Sequence, residues 1–89
     1  MNTITLPHHP TLNRLFRLQW EPAQQCHVLL YPEGMVRLNG SAGEILKCCD
    51  GAASVAEIVE KLETQFGTSG LRDDVEHFLA HARQHNWIL

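Results

Sequence analysis

The chain has 89 residues, of which 44% are hydrophobic and 19% charged, and its formal net charge is −3. This size and composition are typical of one globular domain and exclude a disordered chain. The excess of acidic residues argues against a nucleic-acid-binding protein, because such proteins neutralise phosphates with clustered Lys and Arg. The longest apolar run, residues 28–31, is too short to span a membrane, and a membrane-surface helix would need a basic face that is missing.

The first thirteen residues contain two prolines and two adjacent histidines and show no hydrophobic period. They predict a flexible N-terminal arm over residues 1–13, followed by a single domain over residues 14–89. Residues 1–10 have neither the basic start nor the apolar run of a secretory signal. We therefore expect a cytoplasmic protein whose three cysteines are reduced.

Strand patterns come first along the chain. Residues 14–20 alternate between apolar and polar side chains, and residues 26–31 form an apolar run that suits a strand covered on both faces. The Pro-Glu-Gly sequence at 32–34 predicts a tight reversal, after which residues 35–38 return as a short third strand. These segments predict an antiparallel meander, and a meander has open edges.

The first helix is predicted from a capping box, in which Ser41 and Glu44 satisfy each other's free backbone N–H groups. Gly51 stands where a left-handed C-terminal cap is expected. The residues between them place four side chains on one apolar face: Ala42, Ile45, Leu46 and Cys49.

Two further helices follow. Ser54 and Glu57 form a second capping box, and Gly67 ends the helix that they begin. The third helix is expected to begin near Ser69 or Gly70, with an apolar stripe of Leu71, Val75, Phe78, Leu79 and Ala82. Because all three strands precede all three helices, the predicted fold class is α+β.

Histidines on the third helix are the first candidates for chemistry. His77, His81 and His85 recur every four residues on one flank, which Asp74 shares. Two histidines at this spacing, together with a nearby carboxylate, can bind the same metal ion, and the histidines of the arm could complete such a site. The chain has no HExxH or CxxC pattern, so we interpret the flank as solvated and predict no functional metal site.

Adjacent cysteines are the second candidates. Cys49 falls on the apolar face of the first helix, where a thiol behaves as a small hydrophobic group. Cys48 is expected on a flank, and no histidine lies near it in the sequence to lower its pKa. The chain also lacks a glycine-rich phosphate loop and a GxSxG motif. We therefore predict a protein that is not an enzyme and that needs no cofactor.

The strand at residues 35–38 is a candidate sheet edge. An open edge is a template to which an extended peptide can add as a further strand. The alternative is that a terminal strand or helix already covers this edge. Whether the chain forms a homodimer also stays open at this point.

Several sequence blocks resemble the pyrroloquinoline quinone (PQQ) biosynthesis protein D family. Residues 29–39 resemble its block LLYPEG-x-V-x-LN, and residues 42–51 resemble its segment A-x-x-IL-x-x-CDG. Residues 58–62 and 74–79 match its two later helices. The resemblance covers about residues 11–89, in order and with the right spacings.

The resemblance implies a winged-helix-like recognition element for ribosomally made, modified peptides. It implies a chaperone that binds the PQQ precursor peptide and presents it to a radical SAM enzyme, which crosslinks a Glu and a Tyr of the precursor. In related domains the peptide adds to the third strand and lies against the third helix. Carried over to this chain, the peptide-binding residues are Met35, Val36, Arg37, Leu38, Leu71, Asp74, Val75 and Phe78. One departure is Gly43, which should weaken the first helix by about 1 kcal/mol relative to Ala.

Two other function classes fit parts of the sequence. A DNA-binding winged helix also combines three helices with a small sheet. However, the third helix carries Asp73, Asp74 and Glu76, whose carboxylates would repel the phosphates of DNA. An order in which all strands precede all helices is also unusual for that class. A small metal- or quinone-binding protein is the third class, and it rests only on the histidine flank.

Overall fold

The structure of the chain is a computed structural model that describes residues 6–89. It confirms the α+β order, with three antiparallel strands followed by three helices. The elements are β1 (Arg17–Glu21), β2 (Cys26–Tyr31), β3 (Gly34–Arg37), α1 (Gly40–Lys47), α2 (Val55–Phe66) and α3 (Arg72–Gln84). The strand order is β1-β2-β3, so within residues 6–89 the outer edges of β1 and β3 have no strand partner. None of these three helices combines the length and apolar composition that crossing a membrane requires.

The helices cover one face of the sheet, and the core lies between them. Leu29 at the centre of β2 is fully buried in this core, and Val28, which points to the opposite face, is buried as well. Burial of both fits the apolar run from which β2 was predicted. The strongly buried helical side chains come from all three helices: Ala42, Ile45, Leu46, Ile58, Val59, Leu62, Val75, Leu79 and Ala82.

Local capping explains where α2 begins and ends. The Ser54 hydroxyl accepts a hydrogen bond from the Glu57 N–H at 3.1 Å, and the Glu57 carboxylate accepts one from the Ser54 N–H at 2.8 Å. Gly67 closes the helix with a left-handed φ of 63°. Both ends confirm the predicted capping box and glycine cap.

α1 begins differently from the prediction. The N-cap is Asn39, whose side-chain oxygen accepts the Ala42 N–H at 2.8 Å, so the predicted Ser41/Glu44 capping box is wrong. The Asn39 oxygen occupies the position from which a capping group reaches the third helical N–H. The Glu44 carboxylate is therefore free to accept a hydrogen bond from the Gln65 amide of α2 at 2.6 Å.

The segment after α1 pairs with the N-terminal part of the chain. Gly51 does not cap α1, which ends at Lys47; instead its N–H donates to the Pro10 carbonyl at 3.0 Å. Two antiparallel bridges join Thr11 to Asp50 and Leu12 to Ile88. A loosely attached arm therefore does not describe residues 10–13, whereas residues 1–5 lie outside the described part of the chain. The boundary at residue 14 stays a prediction.

α3 begins at Arg72, close to its predicted start, without a side-chain cap of its own. The N–H of Leu71 donates instead to the Glu63 carboxylate of α2 at 3.0 Å, which joins the two helices. After α3, Asn86 adopts a left-handed φ of 63° and turns the chain back. The apolar C-terminal tail then packs on the core through Trp87 and Ile88, as its composition predicted.

Gly43 has a packing role that its low helix propensity conceals. A Cβ atom at this position would lie 2.5 Å from Nδ1 and 2.8 Å from Cβ of His27 in β2. The missing side chain therefore allows α1 to approach the central strand closely. This approach is the physical reason for a glycine inside a short helix.

We predict that Gly43→Ala lowers the free energy of unfolding by about 1–3 kcal/mol, because the clash with His27 outweighs the gain in helix propensity. Gly40→Ala is the matched control, since apart from its chain neighbours and the backbone of its own helix no heavy atom of the described residues lies within 4 Å of its new Cβ. Gly40→Ala should be neutral or stabilising by up to about 1 kcal/mol. Urea denaturation measures both. Equal stability of the two variants would contradict the packing role.

Candidate functional site

A groove of about 350 Å³ lies where α1 begins, α2 ends and α3 begins. All four residues of α3 and its cap that were predicted for the site line this groove: Leu71, Asp74, Val75 and Phe78. Ile45, Leu62 and Phe66 complete its apolar wall, and Asn39 and Ser41 stand at its polar end. The arrangement suits a large apolar side chain of a bound molecule.

The predicted strand residues lie beside the groove without lining it. Leu38 is buried in the core cluster that also contains Val75, and Val36 packs against the same cluster. Met35 is 48% exposed and Arg37 is also exposed. The groove adjoins this strand through Asn39, the residue that follows Leu38.

The register of β3 determines which of its backbone groups are free. The Leu38 N–H donates to the His27 carbonyl at 3.0 Å, so this pair belongs to the hydrogen-bonded class. Hydrogen-bonded and non-hydrogen-bonded pairs alternate along an antiparallel ladder, and Val36 therefore also pairs inward with β2. The N–H and C=O groups of Met35 and Arg37 then point to the open edge. The predicted strand residues thus divide into two that hold the sheet and two that can pair with an added strand.

The part of the groove that α1 and α2 contribute was not predicted from the sequence. Phe66 ends the apolar stripe of α2 and is 49% exposed in the structure. Its place directly before the Gly67 cap was the sequence signal that could have pointed to it. Ile45 and Leu62 are buried and look like ordinary core residues in the sequence. Among residues 6–89, Asp74 is the only ionisable residue in the lining, so the groove carries a single carboxylate.

The three histidines of α3 do not form a ligand cluster with other groups. The rings of His81 and His85 have centroids 4.3 Å apart, and His85 stacks on Trp87 at 5.3 Å. Over residues 6–89, no group of three or more His, Cys, Asp or Glu side chains is arranged to hold a metal ion. His81, His85 and Trp87 form an aromatic cluster at the C-terminal end of α3, and Phe78 of the groove lies next to it, with its ring centroid 6.3 Å from that of Trp87.

Both thiols of the adjacent pair are buried. Cys49 lies in the core as predicted, but the expected flank position of Cys48 is wrong, because it is only 6% exposed. Burial raises the pKa of the Cys48 thiol, and burial raises that of Cys49 to about 12. Each thiol donates to a helix carbonyl, of Glu44 and Ile45 respectively, at 3.5 Å. Protonated thiols in these positions are poor nucleophiles and fill the core.

Comparison with known proteins gives consistent results. The family model for coenzyme PQQ synthesis protein D (PqqD) matches residues 26–88. A protein of Azotobacter vinelandii named PqqA binding protein is 55% identical over 89 residues, which cover 99% of this chain and 97% of that protein. A PqqA binding protein of Pseudomonas aeruginosa strain PAO1 is 53% identical over the same shares of both chains.

The fold is also similar to a solved structure. This is the solution NMR structure of the PqqD truncation of Methylobacterium extorquens PqqCD, described as a functional and stand-alone recognition element for ribosomally synthesized and post-translationally modified peptides. The TM-score is 0.71 at 28% sequence identity, over 90% of this chain and 87% of that one.

The buried thiols give a prediction about reactivity and pH. Because burial raises the folded-state pKa of Cys49 from 9.0 to about 12, the folded protein holds this proton more tightly than the unfolded chain. The contribution to stability is therefore complete below about pH 9 and is lost as the pH rises towards about 12. Iodoacetamide at about pH 8 should modify Cys26, which is partly exposed, and leave Cys48 and Cys49 intact until denaturant is added.

Peptide mass mapping identifies the modified thiols, and denaturation between about pH 8 and 11 measures the loss of stability. Cys49→Ala is the control, because it removes this titrating group and should reduce the pH dependence to the part that Cys48 contributes. Modification of Cys49 in the folded protein at the rate of Cys26 would contradict the burial argument.

Proposed function

Since the chain belongs to the coenzyme PQQ synthesis protein D family, we propose that it binds the precursor peptide of pyrroloquinoline quinone. The observation that carries this proposal is the open edge of β3, which ends at an apolar groove. An extended peptide on this edge would place its side chains against α3. The relatives named PqqA binding protein support this choice of peptide.

Strand addition divides the work of recognition between backbone and side chains. The outward N–H and C=O groups of Met35 and Arg37 pair with the peptide main chain and set its register. Alternate peptide side chains then face the groove, where Phe66 and Phe78 offer partly exposed rings. Affinity from the main chain is independent of sequence, so selection of the precursor comes from the groove.

The protein acts as a chaperone and not as an enzyme in this proposal. It holds the precursor in extended form and presents it, in the cytoplasm, to a radical SAM enzyme that crosslinks a Glu and a Tyr. The candidate nucleophiles Cys48 and Cys49 are buried, which supports a role without catalysis. Exposed Asp73 and Asp74 in the first turn of α3 disfavour the alternative of a DNA-binding winged helix.

The function is tested by titrating the purified protein with the synthetic precursor peptide and measuring the heat of binding by isothermal calorimetry. We expect saturable binding and an unchanged peptide mass after incubation without any enzyme. A scrambled peptide of the same composition is the control, because it retains main-chain groups but not the order of side chains. Absence of binding, or a changed peptide mass, would overturn the proposal.

The register of β3 predicts opposite effects for two neighbouring prolines. Arg37→Pro removes an outward N–H, so the protein should stay folded and lose about two- to tenfold in peptide affinity, the value of one hydrogen bond. Val36→Pro removes an inward N–H that pairs with β2. It should lower the free energy of unfolding by about 1–3 kcal/mol, since a carbonyl of β2 loses its partner.

Arg37→Ala is the control for the proline at this position, because it removes the same side chain and keeps the N–H. Its peptide affinity should stay close to that of the wild type. Calorimetry and urea denaturation of the three variants separate binding from folding. A folded Arg37→Pro protein that binds the precursor at wild-type affinity would exclude pairing at this N–H.

A further inference from the structure

A second depression, of about 600 Å³, lies at the end of the sheet where β1 begins and β2 ends, and its arginines belong to the β1 side. It adjoins the start of β1 and the end of β2, and its rim carries Arg14, Leu15 and Arg17. Phe16 and Tyr31 lie within it with ring centroids 5.6 Å apart. We call this set of five residues the arginine-flanked surface. It shares no residue with the groove beside α3.

The turn that forms this surface is held in place by one residue, through both its backbone and its side chain. Asn13 donates from its backbone N–H to the Trp87 carbonyl at 2.8 Å and from its side-chain amide to the Asn86 carbonyl at 2.9 Å. Its side-chain oxygen accepts the Leu15 N–H at 3.0 Å, and its carbonyl accepts the Phe16 N–H at 2.9 Å. The C-terminal tail therefore fixes a turn on which Leu15 is 67% exposed. An apolar side chain held outwards in this way is available to a partner at little entropic cost.

The charge of the surface is opposite in sign to that of the chain. Arg14 and Arg17 are both exposed, and neither forms an ion pair with another residue of the described range 6–89. No carboxylate of the described part of the chain lines the depression, although the whole chain has a net charge of −3. By contrast, Lys47 and Arg72 each pair with a glutamate on their own helix. Two unpaired guanidinium groups beside an apolar patch are complementary to a carboxylate that stands next to an apolar side chain.

We propose that the arginine-flanked surface docks a second protein, through a segment in which acidic side chains stand next to an aliphatic or aromatic one. This inference rests on the proposed function, in which the enzyme that receives the peptide must bind while the edge of β3 is occupied. Arg17 begins β1 and Arg14 precedes it, whereas the peptide adds to β3 at the other edge of the sheet, so both partners can be bound at the same time. A symmetric contact with a second copy is disfavoured, because it brings arginines of the two copies together at the twofold axis.

The test uses the purified radical SAM enzyme of the same pathway as the probe. The variant Arg14→Glu/Arg17→Glu should bind this enzyme at least about tenfold more weakly than the wild type, with the difference shrinking at about 0.5 M salt. Its affinity for the precursor peptide should change by less than about twofold. The double variant Lys61→Glu/Arg83→Glu is the control, because it makes the same change in net charge at exposed positions outside both sites.

A second pair of variants tests the apolar contact. Leu15→Ser should weaken enzyme binding by about threefold or more, and Leu89→Ser, which changes another exposed leucine, should not. Wild-type affinity of Arg14→Glu/Arg17→Glu for the enzyme would overturn the proposal, and so would loss of peptide binding in parallel. Dimers in sedimentation equilibrium that dissociate in this variant would overturn it in favour of a second copy. If the wild-type protein does not bind the precursor but Arg14→Glu/Arg17→Glu still weakens enzyme binding, the docking surface is supported and the proposed peptide function is overturned.

Discussion

The hydrogen bond from Leu38 to the His27 carbonyl fixes the register of β3, and the proposed binding site depends on this register. A slip of one residue would turn every side chain of the strand to the other face. Val36 would then leave the core, and its backbone would face the open edge in place of Arg37. The same alignment that buries the apolar side of the strand thus decides which main-chain groups a peptide can reach.

The sequence correctly predicted those helices and strands whose ends are determined by residues close to them in the chain. β2 covers the six residues of the apolar run, and α2 begins at Ser54 and ends at Gly67, because capping and turn chemistry act within a few positions. The predicted first capping box is wrong because two neighbouring residues could cap α1, and it is the Asn39 side chain that accepts the Ala42 N–H. Gly51 failed for a different reason, since its hydrogen bond goes to Pro10, forty-one residues earlier. Contacts of that separation leave no periodic pattern in a sequence.

The candidate site also divides into parts with a local sequence signal and parts that depend on long-range packing. The α3 side of the groove follows the helical stripe that contains Val75 and Phe78, and the resemblance pointed to the strand beside it. Phe66 belongs to the groove only because α2 ends next to α3. This contact depends on tertiary packing, which a local sequence pattern does not show. The role of Gly43 is likewise a matter of tertiary packing, because the glycine is needed for the close approach of α1 to His27. The sequence alone presents it as a weak position in a helix.

The energetics of strand addition explain why the edge and the groove occur together. Met35 and Arg37 each present one N–H and one C=O to the open edge, and these four groups are worth about 2–6 kcal/mol in net hydrogen bonding. A micromolar dissociation constant corresponds to about 8 kcal/mol. Burial of one leucine- or phenylalanine-sized side chain adds about 1.5–3 kcal/mol, and the groove has room for such a side chain. Neither feature alone therefore reaches micromolar affinity. In the proposed binding mode, an extended peptide of the wrong sequence would pair weakly with β3, and only one that also places a large apolar side chain against Phe66 and Phe78 would be retained.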